Sequence, residues 1–69
     1  MIELHVHFQS GVWGVSIRER GKMDRFVTYP AWDKRVALSY AKAEAKNYRP
    51  ARVVVHDKAG AIQNKLDFE

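Results

Sequence analysis

Ile2, Leu4, Val6 and Phe8 alternate with Glu3, His5, His7 and Gln9 at the start of the chain. A period of two sends successive side chains to opposite faces, which predicts a half-buried strand and a sheet with one apolar face. Ser10-Gly11 allows a turn. Trp13, Val15 and Ile17 then alternate with Gly14, Ser16 and Arg18, predicting a second strand over Trp13–Arg18. Arg20-Gly21-Lys22 is the next turn signal, and Arg25–Tyr29, rich in aromatic and β-branched residues, predicts a third strand.

Pro30 breaks this run, because proline has no amide to donate to a ladder. Asp33 follows as an N-cap, and the alanine-rich stretch from Lys34 to Tyr48 predicts a helix closed by Arg49-Pro50. Ala51–His56 and Ala61–Leu66 predict two further strands. The expectation is an α+β domain in the order βββαββ: an antiparallel-rich sheet of about five strands with one helix on one face. Residues 1–69 form a single unit without repeat, low-complexity tract or linker.

At about 100° per residue, Ala37, Leu38, Ala41, Ala45 and Tyr48 share one face of the helix. Their small size predicts a helix backbone lying close to the sheet. Leu4, Val6, Phe8, Trp13, Val15, Ile17, Val53, Val55, Ile62 and Leu66 are the apolar strand positions expected to point toward it. His5, His7, Ser16, Arg18, Arg52, Val54, His56, Gln63 and Lys65 then fall on the far face, which reads as polar, mildly basic and open to water or to a partner.

Size limits what such a domain can do. A chain of 69 residues buries a small core, and with no cysteine it has neither disulfides nor thiolate metal ligands to reinforce it. A homodimer is a physically motivated way to enlarge the buried area. Hydrophobic residues at 46% exclude a disordered chain, and no apolar run approaches the length of a bilayer span. MIELHVHF lacks the basic head and apolar stretch of a signal peptide, so a soluble, cytoplasmic protein is expected, without membrane partners.

Twelve Lys and Arg against eight Asp and Glu give a net charge of +4, which favours nucleic acid or an acidic protein surface as partner and equally serves solubility. Arg35, Ser39, Lys42, Lys46 and Arg49 form a second helical stripe opposite the alanines. Such a stripe is ordinarily a solvated face; its functional reading is a row that tracks phosphates. Arg35, Lys42, Lys46 and Arg49, with Arg18, Arg52 and Lys65 from the sheet, are the candidate binding residues. Phe26, Tyr29 and Trp32 could stack on bases if exposed, while Trp32 also suits a hydrophobic staple before the cap.

His5 and His7 project from the same strand face and could chelate a metal, with His56 as a third ligand if the fourth strand lies near the first. No acidic residue stands out to orient them. Polar strand positions commonly carry histidine without a metal, and neither a metal site nor a cofactor is expected. Ser10, Ser16 and Ser39 lack the context of a nucleophile and the carboxylates are scattered, so no catalytic residue is assigned and the chain reads as a non-enzyme.

The stretch Val53 to Ile62, VVVHDKAGAI, predicts a strand, a type I turn with Asp57 at its first position, and Gly60 as the left-handed residue closing a bulged hairpin. His56 is expected to cap the strand end or bond a turn group. This hairpin, Gly11-Val12-Trp13-Gly14-Val15, and the capped helix with Asp33, Ala37, Ala41 and Ala45 together resemble domain-of-unknown-function family 2188, short proteins of bacteria and phages. The resemblance runs from about His5 to Phe68. Val12 departs from it where a second glycine is common, and Ala59 where an aspartate often precedes the turn glycine. It implies a compact α+β domain and brings neither catalytic residues nor an activity. The expected function is a non-catalytic binding module with a basic surface, nucleic acid being the leading partner. The alternative is a self-associating protein-interaction module, a phage or bacterial accessory factor docking on a host protein.

Overall fold

The computed structural model describes residues 2–19, 25–31 and 33–69, the middle segment by its backbone alone. The fold is α+β, with one helix packed against a mixed sheet. β1 (Ile2–Gln9) and β2 (Val12–Glu19) form an antiparallel hairpin. β4 (Ala51–His56) lies parallel to β1 on its other side, and β5 (Ile62–Phe68) pairs antiparallel with β4. These four strands stand in the order β2-β1-β4-β5. The backbone of β3 (Arg25–Ala31) runs antiparallel beside β2.

The β1–β2 hairpin closes through Ser10 and Gly11, with φ of 53° and 82°. Two consecutive positive φ values are those of a type I′ turn, whose twist matches that of the strands it joins. Alternation does what the sequence predicts on the helix side: Leu4, Val6, Trp13, Val15, Ile17, Val53 and Val55 are buried there with Ala37, Ala41 and Ala45 of α1 (Lys34–Asn47). Leu38, Tyr48, Phe8 and Leu66 pack against this core from its rim. The Asp33 carboxylate caps the helix by accepting from the Arg35 amide at 2.9 Å. Tyr48 is the C-cap rather than the last helical residue, so Arg49 lies beyond the helix.

Three expectations are corrected. The far face of the sheet is not an open polar surface: Val54 is 2% exposed, Ser16 6% and His5 8%. Strand pairing sets His5 between Ser16 and Val54 in the middle of the sheet, where neighbours on both sides crowd each side chain, with Glu3 between Arg18 and Arg52 one pair along. Ile62, expected in the core, is 55% exposed, and Gln63, expected on the far face, reaches Lys34 at the start of the helix. Both changes follow from a register shift between Val55 and His56, which inserts a residue into β5 and turns its first positions relative to simple alternation. The third strand continues through Pro30, where the register shifts opposite Gly14, so the missing proline amide falls at an irregularity that needs no ladder bond. The turn read at Arg20 to Lys22, and the roles weighed for the side chains of Phe26, Tyr29 and Trp32, fall outside the described residues.

Candidate functional site

The parallel register sets Leu4 against Val53, His5 against Val54 and Val6 against Val55. His56, at the end of β4, therefore comes within reach of His5. His5 Nδ1 and His56 Nε2 are 2.8 Å apart. The ring centroids are separated by 5.1 Å with an interplanar angle of 23°. An N···N contact that short at that separation means that the rings meet edge to edge, joined by a hydrogen bond, rather than face to face. At the other end of His5, Nε2 lies 3.1 Å from Glu3 Oε1. At the other end of His56, Nδ1 lies 3.1 Å from the Gly60 carbonyl oxygen. A continuous row of hydrogen bonds thus runs from Glu3 through two imidazoles into the β4–β5 turn.

That turn has the predicted form. The Gly60 amide donates to the Asp57 carbonyl at 3.0 Å, and Asp57 Oδ1 accepts from the amides of Ala59 at 2.9 Å and Ala61 at 3.0 Å. Gly60 has a φ of 91°, where a side chain is strained. Bonding of a turn group by His56 is borne out; its bond to His5 is an addition that follows from strand order.

His7 stands beside this row, its Nε2 2.6 Å from Ser16 Oγ on the diagonal of the β1/β2 pair. Burial lowers the pKa of His5 from its ordinary 6.5, with the Glu3 hydrogen bond opposing and the Arg18 and His56 charges adding to the drop. The pKa of His7 is lowered by burial first, then by the charges of His56, Arg18 and His5. Both rings therefore favour the neutral form. Among the described residues no group of three His, Cys, Asp or Glu side chains has an arrangement that could hold a metal ion.

The seven candidate cations divide between two sides of the molecule. Lys42 and Lys46 are exposed one turn apart on the outer face of α1, and Arg49 is exposed just past its end. Arg35 is exposed on the same helix, but its guanidinium holds Asp33 Oδ2 at 2.9 Å, which keeps the aspartate below its ordinary carboxylate range and raises the arginine. Arg18, Arg52 and Lys65 lie across the sheet from the helix. Arg18 stands opposite Glu3, and Arg52 Nε bonds Asp67 Oδ1 at 2.6 Å, while Lys65 is exposed opposite Val54. The structure keeps Lys42 and Lys46 one turn apart on α1, with Arg49 past its end, and leaves the sheet cations as a separate, partly neutralised group.

Glu3, Ser16 and the Gly60 carbonyl are the partners that sequence reasoning missed. For Glu3 a signal existed: two residues before His5 on one strand, it shares that face and can orient the imidazole. Ser16 and Gly60 reach the histidines through strand pairing, which spacing alone does not reveal.

No family model matches the chain, and no curated protein or solved structure does. Among the described residues no helix is long and apolar enough to cross a membrane.

Proposed function

We propose that this βββαββ domain is a non-catalytic binding module that presents the outer face of α1 to a polyanion, nucleic acid being the partner the chemistry favours. One observation carries this reading: Lys42 and Lys46 are exposed on one helical row that no acidic residue interrupts, and Arg49 is exposed just past the end of the helix. Ammonium groups one helical turn apart can each meet a phosphate without base-specific contacts, so binding would be weakly sequence-specific and steeply salt-dependent. The test is a low-salt titration of labelled single- and double-stranded DNA and RNA with the wild-type protein and with Lys42→Glu/Lys46→Glu. Absence of binding to all four by the wild type removes the reading.

A second reading, a self-associating or acidic-protein-binding module, rests on Ile62, which is 55% exposed on the edge strand β5. An unpaired edge carrying an exposed apolar side chain is a natural template for strand addition. Sedimentation at high micromolar concentration tests it, a strictly monomeric protein counting against self-association. Membership of domain-of-unknown-function family 2188 and a cytoplasmic setting are carried with these readings as proposals.

A further inference from the structure

We propose that Glu3, His5, His56 and the Gly60 carbonyl form a proton-counting latch between β1 and the β4–β5 turn, complete only when the two imidazoles together hold three ring protons. The inference comes from counting hydrogens. A carboxylate and a carbonyl only accept, so the contact at Glu3 Oε1 requires a proton on His5 Nε2, and the contact at Gly60 O requires one on His56 Nδ1. The 2.8 Å contact between His5 Nδ1 and His56 Nε2 requires one more. Two neutral imidazoles carry two protons between them, and two imidazolium rings carry four. The observed geometry belongs to the singly charged pair.

The environment decides which ring carries the charge. His5 is 8% exposed, and burial disfavours its cation; His56 lies at the strand end, more open to water. His56 in its charged form donates at both nitrogens, to His5 Nδ1 and to Gly60 O, while neutral His5 donates from Nε2 to Glu3. The charge of the pair is balanced by Glu3. Among the described residues, the other groups around the row are His7 on β1, Arg18 on β2, and Arg52 with its partner Asp67 on β4 and β5. Lys65 on β5 completes the sheet side. From the turn come Asp57, whose Oδ1 is taken by two amides, and Lys58, whose ammonium sits 5.2 Å from the centroid of the Phe8 ring.

Each departure from three protons breaks a contact. A fourth proton puts two N–H groups face to face across the 2.8 Å gap, beside a second positive charge. Loss of the third breaks one of three contacts: it leaves two bare nitrogens facing each other between His5 and His56, sets the bare His56 Nδ1 against the lone pairs of Gly60 O, or removes the donor from Glu3. The turn that carries Lys58 is therefore fastened most firmly over an intermediate pH range and loosened on either side of it.

Nitrogen-15 NMR of the histidine rings in the wild-type protein tests this without any substitution. The expected result is an interval of pH in which the two rings together hold three protons, one of them shared between His56 Nε2 and His5 Nδ1. In that interval a through-hydrogen-bond coupling should join His56 Nε2 to His5 Nδ1, and it should vanish when His5 takes the fourth proton. Passage of the pair from two protons to four without a three-proton interval, or a three-proton interval without that coupling, overturns the proposal. As a second measurement, the stability of the wild type should pass through a maximum with pH that His56→Gln removes; an unchanged maximum in that variant also overturns it.

Discussion

His5 and Val54 stand opposite one another across the parallel β1/β4 pair, and both are buried on the sheet face that α1 does not cover. Val54 is thus a buried residue of the sheet's other face, beside the buried His5 and in the same row as the buried Ser16. Val54→Ala is expected to cost about 2 kcal/mol, the value of a buried branched side chain with partial relaxation around it. A solvent-facing valine would cost roughly 0.5 kcal/mol or less. Urea denaturation of the two proteins separates these outcomes, and a change at the smaller value would restore the open face that alternation alone suggests.

Acid should weaken the domain through its histidines. Burial lowers the folded-state pKa of both His5 and His7, so below 6.5 the unfolded chain binds protons that the folded chain refuses. Their contribution is fully present above 6.5 and is lost as pH falls from there through the lower folded values. His7→Gln should flatten the decline between pH 7 and pH 5 while leaving the behaviour above pH 7 unchanged. Chemical denaturation at several pH values checks this, and a variant declining as steeply as the wild type would dismiss His7 as a contributor.

Gly60→Ala and His56→Gln act on the same turn by different physics. Space is open around Gly60, so the penalty for alanine is the left-handed backbone alone, about 1–2 kcal/mol at any pH. His56→Gln removes the partner of a buried ring nitrogen and a bond to the turn carbonyl. Its cost, of order 1–3 kcal/mol, should vary with pH. Melting curves at pH 5, 6.5 and 8 distinguish a constant offset from a variable one.

Reversal of the helix charges should spare the fold and abolish the proposed binding. Lys42 and Lys46 are exposed and glutamate is a good helix former, so Lys42→Glu/Lys46→Glu should stay within about 1 kcal/mol of the wild type in stability. If each lysine neutralises one duplex phosphate, charge-neutral glutamine at both positions should lower the slope of log K against log salt by about 1.8. Fluorescence anisotropy across a salt series measures that slope. An unchanged slope would move the binding surface away from α1.

The helix was legible because everything that specifies it is local: the Asp33 cap, alanines at a spacing of four, and the Arg49-Pro50 stop. The strands were legible from alternation, and the hairpin at Gly60 from the residues of the turn itself. The neighbour of β1 was not. Placing β4 parallel beside β1 depends on long-range pairing, which no spacing within either strand encodes, and the Glu3–His5–His56 row exists only because of that placement. Ile62 was misplaced for a related reason. A single inserted residue reverses the faces of all that follows until the register recovers, and although Gly60 marked a bulged hairpin, nothing in Ile62, Gln63 or Asn64 announced a further residue inserted within β5. The cations were individually recognisable, but their division between helix and sheet, and the engagement of Arg35 and Arg52 by aspartates, required the fold.

Ser10 offers a test of the β1–β2 turn from the opposite direction, by stabilisation. It holds a φ of 53° as the first residue of a two-residue type I′ loop, a conformation that most side chains enter at a cost and that asparagine tolerates well. Gly11 already supplies the second position at a φ of 82°. Ser10→Asn would complete the Asn-Gly pair that this turn favours, and since the hairpin sets the register of Phe8 against Trp13, the gain should appear in global stability. An increase of about 0.5–1 kcal/mol is expected, or a rise in melting temperature of several degrees for a domain this small. Ser10→Val should do the opposite, because a β-branched side chain is a steric outlier at positive φ. Thermal melts of both variants against the wild type check the pair, and equal stability of the asparagine and valine forms would rule out the type I′ geometry.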